Sequence, residues 1–299
     1  MKNNLLKKHA KSFYWASFFL SSDTFYKCSL LYNFCRTLDD IVDDDSKLKD
    51  KKETFSKFKE DFENKNFNNQ IVEDMWSIVD SETISKKIVM DLFDGVETDL
   101  QEKVKINSKK DLLVYSYRVA GTVGLMMSKI LKVKNKEALK GAIDLGIAMQ
   151  LTNIARDVLE DAGMGRRYLP ASWVGNLEPA QIVALAKTPN DDAAKSIANA
   201  VGRLLDLADS YYKSGIAGLS YLPFRAHMSI AVAAYVYRQI GVQLVQKNYP
   251  WHDGRQVTSK AVKIACSLRA FTALPQRFYP TAPHNPALHD AIRGLPHVK

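Results

Sequence analysis

Four side chains of the segment YNFCRTLDDIVDDD (32–45) share one face if it is helical: Tyr32, Arg36, Asp39 and Asp43, at i, i+4, i+7 and i+11. Residues three and four apart stack along a helix, which is why this spacing matters. Asp40 and Asp44 form a neighbouring row, and Leu38, Ile41 and Val42 supply the apolar side. Like charges four apart destabilise a helix, so a fold that keeps several there needs a compensating cation. The segment QLTNIARDVLED (150–161) repeats the pattern. Gln150, Asn153, Asp157 and Asp161 make an all-oxygen row, Leu151, Ile154 and Val158 pack, and Arg156 stands beside the row. Each row alone also reads as a solvated acidic helix; two in one chain point to a shared task.

That task follows from charge balance. Hard divalent ions such as Mg²⁺ take oxygen ligands, commonly one or two carboxylates together with substrate phosphate oxygens. A diphosphate is itself polyanionic, so carboxylates hold it only through bridging cations. Two carboxylate rows facing each other across a helical cavity would hold such ions and stabilise a departing diphosphate. Arg36, Arg156 and Arg255 can donate to the same oxygens. A site that ionises an allylic diphosphate must also shelter a carbocation and exclude water. The segment YSYRVAGTVGLMM (115–127) fits that need: Tyr115 offers an aromatic face, while Ala120, Gly121 and Gly124 let helices approach and leave room for a long apolar chain. Gly121 and Gly124 are not a dinucleotide fingerprint, since neither a strand nor a third glycine accompanies them.

The elements that must position these residues are helices. Apolar residues recur at three and four positions, as in Phe55-Phe58-Phe62, Ile88-Leu92-Val96 and Leu204-Leu207-Tyr211, the amphipathic-helix pattern. No Asn-Gly or Asp-Gly pair sits between alternating apolar residues, so an all-α protein is expected. The charged run at 47–65 carries phenylalanines at helical spacing and reads as a solvated helix face. Through residue 140 the chain holds 23 Lys and 4 Ala, against 7 Lys and 25 Ala after it, with all ten prolines in the second part. That break would fit two domains, but each half holds one carboxylate row, so neither is complete alone. A single domain is expected, with a catalytic core at about 9–270 and an irregular tail at 271–299. The tail histidines His284, His289 and His297 lack metal-site spacing.

The 299 residues carry a net charge of +9, which suits an anionic partner. The basic residues are scattered, without aromatic residues between them for base stacking, so no nucleic acid is expected. Cys28, Cys35 and Cys266 form neither a CxxC pair nor an even set, which points to a reducing compartment. The longest apolar candidate, residues 112–131, is interrupted by Arg118 and Lys129, short of a membrane span. A cytoplasmic protein with peripheral membrane association is expected. No sequence pattern speaks to oligomeric state.

Together these motifs resemble the squalene and phytoene synthase family, the head-to-head prenyl transferases. The likeness is carried by HAKSF (9–13), the two carboxylate segments, residues 115–124, RRYLP (166–170) and AYVYRQI (234–240). Residues 119–127, preceded by Tyr-x-Tyr-Arg, resemble the phytoene-forming branch in particular; Ser116 stands where that family commonly has cysteine. The resemblance implies a single isoprenoid-synthase helical domain with a central cavity. It implies Asp39 and Asp43 in the first metal motif, and Asn153, Asp157 and Asp161 in the second, binding Mg²⁺, with Mn²⁺ as the substitute. Tyr115 would stand near the reacting carbons, with Arg36, Asp39 and Asp157 also catalytic. Ser12, Tyr32, Arg36, Gln150, Arg156, Tyr237 and Arg255 would contact substrate. The implied reaction joins two geranylgeranyl diphosphates through prephytoene diphosphate to phytoene, the committed step of carotenoid biosynthesis, without NADPH.

Chain length is read from Ser17, one helical turn after Phe13, and Ser29, three residues before Tyr32. If both face the apolar tunnel, their small size admits C20 chains. The alternative is a C15 user making squalene or dehydrosqualene. Some relatives are non-catalytic assembly factors that have lost the aspartates; the intact rows argue against that role.

Overall fold

The computed structural model describes residues 11–256, 258–279 and 283–298, apart from the side chains of residues 11–13 and 276. Its main helices are α1 (Ser22–Asp43), α2 (Leu48–Glu63), α3 (Gln70–Ser81), α4 (Lys86–Glu97), α5 (Lys109–Ser116), α6 (Thr122–Ile130), α7 (Glu137–Arg156), α8 (Val158–Gly163), α9 (Asp192–Ala217), α10 (Phe224–Gln246) and α11 (Lys260–Ala270). Among the described residues the extended pairing is one two-residue parallel bridge, β1 (Val104–Lys105) with β2 (Arg166–Arg167). The all-α expectation is met.

α1 begins at Ser21, whose Oγ accepts the Thr24 N–H at 3.3 Å and so satisfies one of the free donors of the first turn. It buries Leu31, Phe34, Leu38 and Val42, spaced by three and four. Against Phe34 and Phe93 pack Phe58 and Phe62 of α2, with ring centroids 5.5–6.0 Å apart. Trp76 of α3 stacks on Phe62 at 5.1 Å and donates its indole N–H to the Phe62 carbonyl at 2.9 Å. The charged run at 47–65 is therefore a solvated face over a phenylalanine edge. Anchored along that edge, α1 turns Arg36, Asp39 and Asp43 towards a polar cavity.

α7 runs through the centre and packs along α9. A Cβ on Gly124 would collide with the Ala142 carbonyl, and one on Gly146 with the Ala120 carbonyl. The small residues thus let backbone meet backbone where α7 crosses the 117–130 region. Between α5 and α6 lies a π-helical turn, Tyr117–Gly121, a distortion frequent at functional sites. The second carboxylate row is not one unbroken helix: Asp157, at φ −105° and ψ 15°, separates α7 from α8. Its N–H still donates to the Asn153 carbonyl at 2.9 Å, and the Asp161 N–H to the Asp157 carbonyl at 2.8 Å. The four-residue order survives the break.

After α11 the chain forms 3₁₀ turns, Phe271–Phe278 and Pro286–Ile292. Tyr211 donates to the Leu288 carbonyl at 2.5 Å and Tyr117 to the Pro296 carbonyl at 2.6 Å. The buried carboxylate of Asp144 on α7 accepts from Ser214 Oγ at 2.5 Å, His284 Nε2 at 2.9 Å and His289 Nε2 at 2.8 Å. α10 is long and apolar enough to cross a membrane, yet 56% of its most apolar window is buried inside the fold, so it serves here as a core wall.

Candidate active site

α1, α5, α7 and α8 enclose a polar cavity of about 300 Å³. From α1 come Arg36, Asp39 and Asp43; from α5, Tyr115; from the run of α7 into α8, Gln150, Asn153, Arg156, Asp157 and Asp161. The two carboxylate rows, one from each half of the chain, face the same space.

Their cations are too few. Asp43 accepts from Arg166 Nη1 at 2.6 Å, while Arg166 Nη2 donates to the Val42 carbonyl at 3.0 Å. The bridge that pairs Val104 with Arg166 holds that arginine in position. Asp157 accepts from Arg156 Nε at 2.7 Å and Nη2 at 2.5 Å. Arg255 stands further off, 3.6 Å from Asp157 and 3.9 Å from Glu160. No donor among the described residues reaches Asp39 or Asp161. Asp39 opens to solvent through the cavity, yet protein surrounds its other sides. That desolvation, with the Asp43 charge added, pushes its carboxyl up to about 7. Burial, then the Asp157 charge, pushes Asp161 up to about 8. Asn153 Oδ1 is buried with no hydrogen-bond partner. A buried acceptor without a donor is costly, and beside crowded carboxylates it describes an oxygen-only donor set that fits a divalent cation.

On the same wall Tyr115 and Tyr168 stack at 4.9 Å and both donate to Asp99, at 2.9 and 2.7 Å. Burial raises Asp99 to about 6, opposed by the Tyr168 hydrogen bond, the Arg166 charge and the Tyr115 hydrogen bond. Burial, with the Asp99 charge next, holds both phenols well above their ordinary range. Both therefore remain neutral donors.

An apolar chamber of about 230 Å³ adjoins the polar cavity, walled by α6, α7 and α10, with Val123, Met127, Leu145, Met149, Leu219 and Ile230 on its sides. Val119, Gln150 and Asn153 line both spaces. The site thus has an ionic pole and a hydrocarbon pole.

Of the residues singled out in the sequence, Arg36, Asp39, Asp43, Tyr115, Gln150, Asn153, Arg156, Asp157, Asp161 and Arg255 line the polar cavity. Arg36 is paired with Asp40 at 2.5 Å. Tyr237 lines the apolar chamber. Tyr32 lines neither space; burial raises its phenol, and the charges of Arg36 and Tyr237 also act on it. The Ser12 side chain and His9 lie outside the described residues. Ser17 and Ser29 do not face the chamber: their hydroxyls donate to the Tyr14 and Phe25 carbonyls, at 2.7 and 2.9 Å, satisfied within their own turns. Sequence reasoning missed Asp99, Glu160, Arg166 and Tyr168, all on the polar wall. Arg166 and Tyr168 stand in the quoted RRYLP segment, which was the available signal; Asp99 carries none, being one acid among several after α4.

A family model described as squalene/phytoene synthase matches residues 6–262. A phytoene synthase of Pseudescherichia vulneris is 34% identical over 277 residues, covering 87% of each chain. A 15-cis-phytoene synthase of Pantoea ananas is 34% identical over 290 residues, covering 90% of this chain and 92% of that one. Among solved structures, a dehydrosqualene synthase bound to a ligand superposes with a TM-score of 0.78 at 26% identity, covering 91% and 94% of the two chains.

Proposed function

The chain belongs to the squalene/phytoene synthase family, and from that premise we propose that this prenyltransferase of the phytoene synthase kind joins two C20 allylic diphosphates head to head. The carrying observation is the adjacency of two unlike spaces: a polar cavity crowded with carboxylates and an apolar chamber that shares Val119, Gln150 and Asn153 with it. A prenyl diphosphate has the same two ends.

Asp39, Asp43, Asn153, Asp157 and Asp161 would hold Mg²⁺, or Mn²⁺ in its place; the unpartnered Asn153 oxygen and the two unpaired carboxylates support that fit. When bound, the ions neutralise the diphosphate and stabilise its departure. Arg156 and Arg255 donate to diphosphate oxygens, where charged donors are strongest, while Arg166 holds Asp43 and Arg36 holds the acidic face of α1. The first substrate ionises, its C1 attacks the double bond of the second, and proton loss closes prephytoene diphosphate. A second ionisation, rearrangement and proton loss give phytoene, with no hydride taken up. Tyr115, clamped by Tyr168 and Asp99, turns an electron-rich ring towards the developing cation, and the apolar walls keep water away. Substrate and product both partition into lipid, so the enzyme works in the cytoplasm at a membrane surface.

The test is purified protein with geranylgeranyl diphosphate and Mg²⁺, without NADPH, followed by hydrocarbon extraction. A C40 hydrocarbon is expected, and chelation by EDTA stops its formation until Mg²⁺ is restored. A C30 product from farnesyl diphosphate, with nothing from the C20 substrate, would retain the chemistry and overturn the chain length. Turnover indifferent to chelation would overturn the metal assignment.

A further inference from the structure

Three separate segments bring exposed apolar side chains to one side of the molecule. Phe18 is 69% exposed, Phe224 56% and Leu268 66%, with Ile264 and Phe271 about half exposed. Ile264, Leu268 and Phe271 fall at i, i+4 and i+7, along the outer stripe of α11 and the turn after it. Three hydrogen bonds join the segments: Trp15 Nε1 donates to Ser267 Oγ at 2.8 Å, Arg225 Nε to the Phe19 carbonyl at 3.0 Å, and Arg277 Nη1 to the Leu222 carbonyl at 2.6 Å.

The segments that build this side are poor in acids. Residues 1–22, 210–252 and 254–289 contain no Asp or Glu at all, although acids are 33 of the 299 residues. Arg225, Lys260 and Arg269 are exposed around the apolar stripe. The side also communicates with the site: Leu222 and Ile230, on either flank of exposed Phe224, line the apolar chamber.

We propose that the face built from Phe18, Phe224, Ile264, Leu268 and Phe271, ringed by Arg225, Lys260 and Arg269, docks on the anionic surface of a lipid bilayer. The assignment rests on the reading of the chain as a lipid-handling enzyme and adds which face meets the lipid. Aromatic and aliphatic side chains insert at the headgroup boundary, and cations beside them are drawn to anionic lipids. A second copy of the chain fits the face poorly, because two-fold pairing sets the same basic patch against itself. With α10 running from this face into the chamber wall, a prenyl chain passes between bilayer and chamber along a short apolar path.

The experiment is flotation of the full chain with phosphatidylcholine vesicles and with phosphatidylcholine–phosphatidylglycerol vesicles, alongside turnover on detergent-dispersed geranylgeranyl diphosphate. The wild type floats with the anionic vesicles, and added salt weakens that binding. Leu268→Ser with Phe271→Ser, and separately Lys260→Glu with Arg269→Glu, each lower the bound fraction at least about tenfold and leave detergent turnover unchanged. Equal flotation of these variants and the wild type overturns the assignment, as does a wild type that ignores anionic vesicles. A dimer seen by light scattering and dispersed by Leu268→Ser would assign the face to a second copy instead. Failure of the enzymatic reading has a different signature: vesicle binding as described, with no hydrocarbon from any variant or the wild type.

Discussion

Asp144 and Asp161 lie on the same run of helix, α7 into α8, and both are withdrawn from bulk water, yet their surroundings act in opposite directions. Asp144 accepts from Ser214, His284 and His289; although burial works to raise it, those donors hold its carboxyl below the usual range. Asp161 has no donor among the described residues and is pushed up to about 8; Asp39, across the cavity, is pushed up to about 7. A buried carboxylate whose hydrogen bonds are complete is part of the scaffold. A cluster that remains short of cations is destabilised until something positive arrives, which is the basis for proposing it as a cation site. Satisfaction of the group, rather than its burial, separates the two roles.

The largest test of that distinction is in turnover. On the proposed reading, Asp39→Ala or Asp157→Ala would remove a cation ligand and is expected to lower turnover on geranylgeranyl diphosphate by at least about 10²–10³-fold, with far-UV circular dichroism unchanged. A folded variant with near-normal activity would remove these residues from the cation site and break the comparison.

The two rows were legible because helical spacing is a local property: residues at three, four and seven positions must share a face, whatever surrounds them. The phenylalanines of α2 could be read as a core edge for the same reason. Contacts set by chain topology were not legible. His284 and His289 have no metal spacing between themselves; their partner is Asp144, about 140 residues earlier in sequence, and its buried carboxylate sits within the otherwise apolar stretch 141–149 of α7. Asp99 joins the polar wall only because a 3₁₀ turn after α4 carries it beneath Tyr115 and Tyr168. Ser17 and Ser29 show the converse: small residues near a motif, read as tunnel lining, whose hydroxyls close on their own helical turns.

The scaffold side of the comparison is measured in stability. Asp144→Ala leaves two imidazoles and a hydroxyl without their acceptor and costs about 3–5 kcal/mol in urea unfolding. His289→Ala keeps two of the three donors and costs about 1–3 kcal/mol. The folded fraction of either variant retains its turnover, since none of these groups lines the polar cavity. Lost turnover at wild-type stability would show that the satisfied carboxylate also serves the chemistry.

The smallest effect, and the sharpest, concerns sign. Asp161 and Asp39 have folded values of about 8 and about 7, above the ordinary carboxylate value near 4 expected in the unfolded chain. The folded protein therefore binds more protons than the unfolded one across that interval. Their contribution is fully present below about pH 4 and is lost as pH rises through about 7 to 8. Asp144 has the opposite sign: its depressed value adds stability above the unfolded carboxylate range, lost as pH falls through its own folded value. In chelator at neutral pH, Asp161→Asn should then stabilise the chain, by on the order of 2 kcal/mol. Mg²⁺ should raise the melting temperature of the wild type more than that of the variant, and more at pH 8 than at pH 6, because the ion displaces protons from its ligands. An Asp161→Asn protein less stable than the wild type in chelator, with the Mg²⁺ response intact, would mean that this carboxylate already has a hydrogen-bonding or cationic partner.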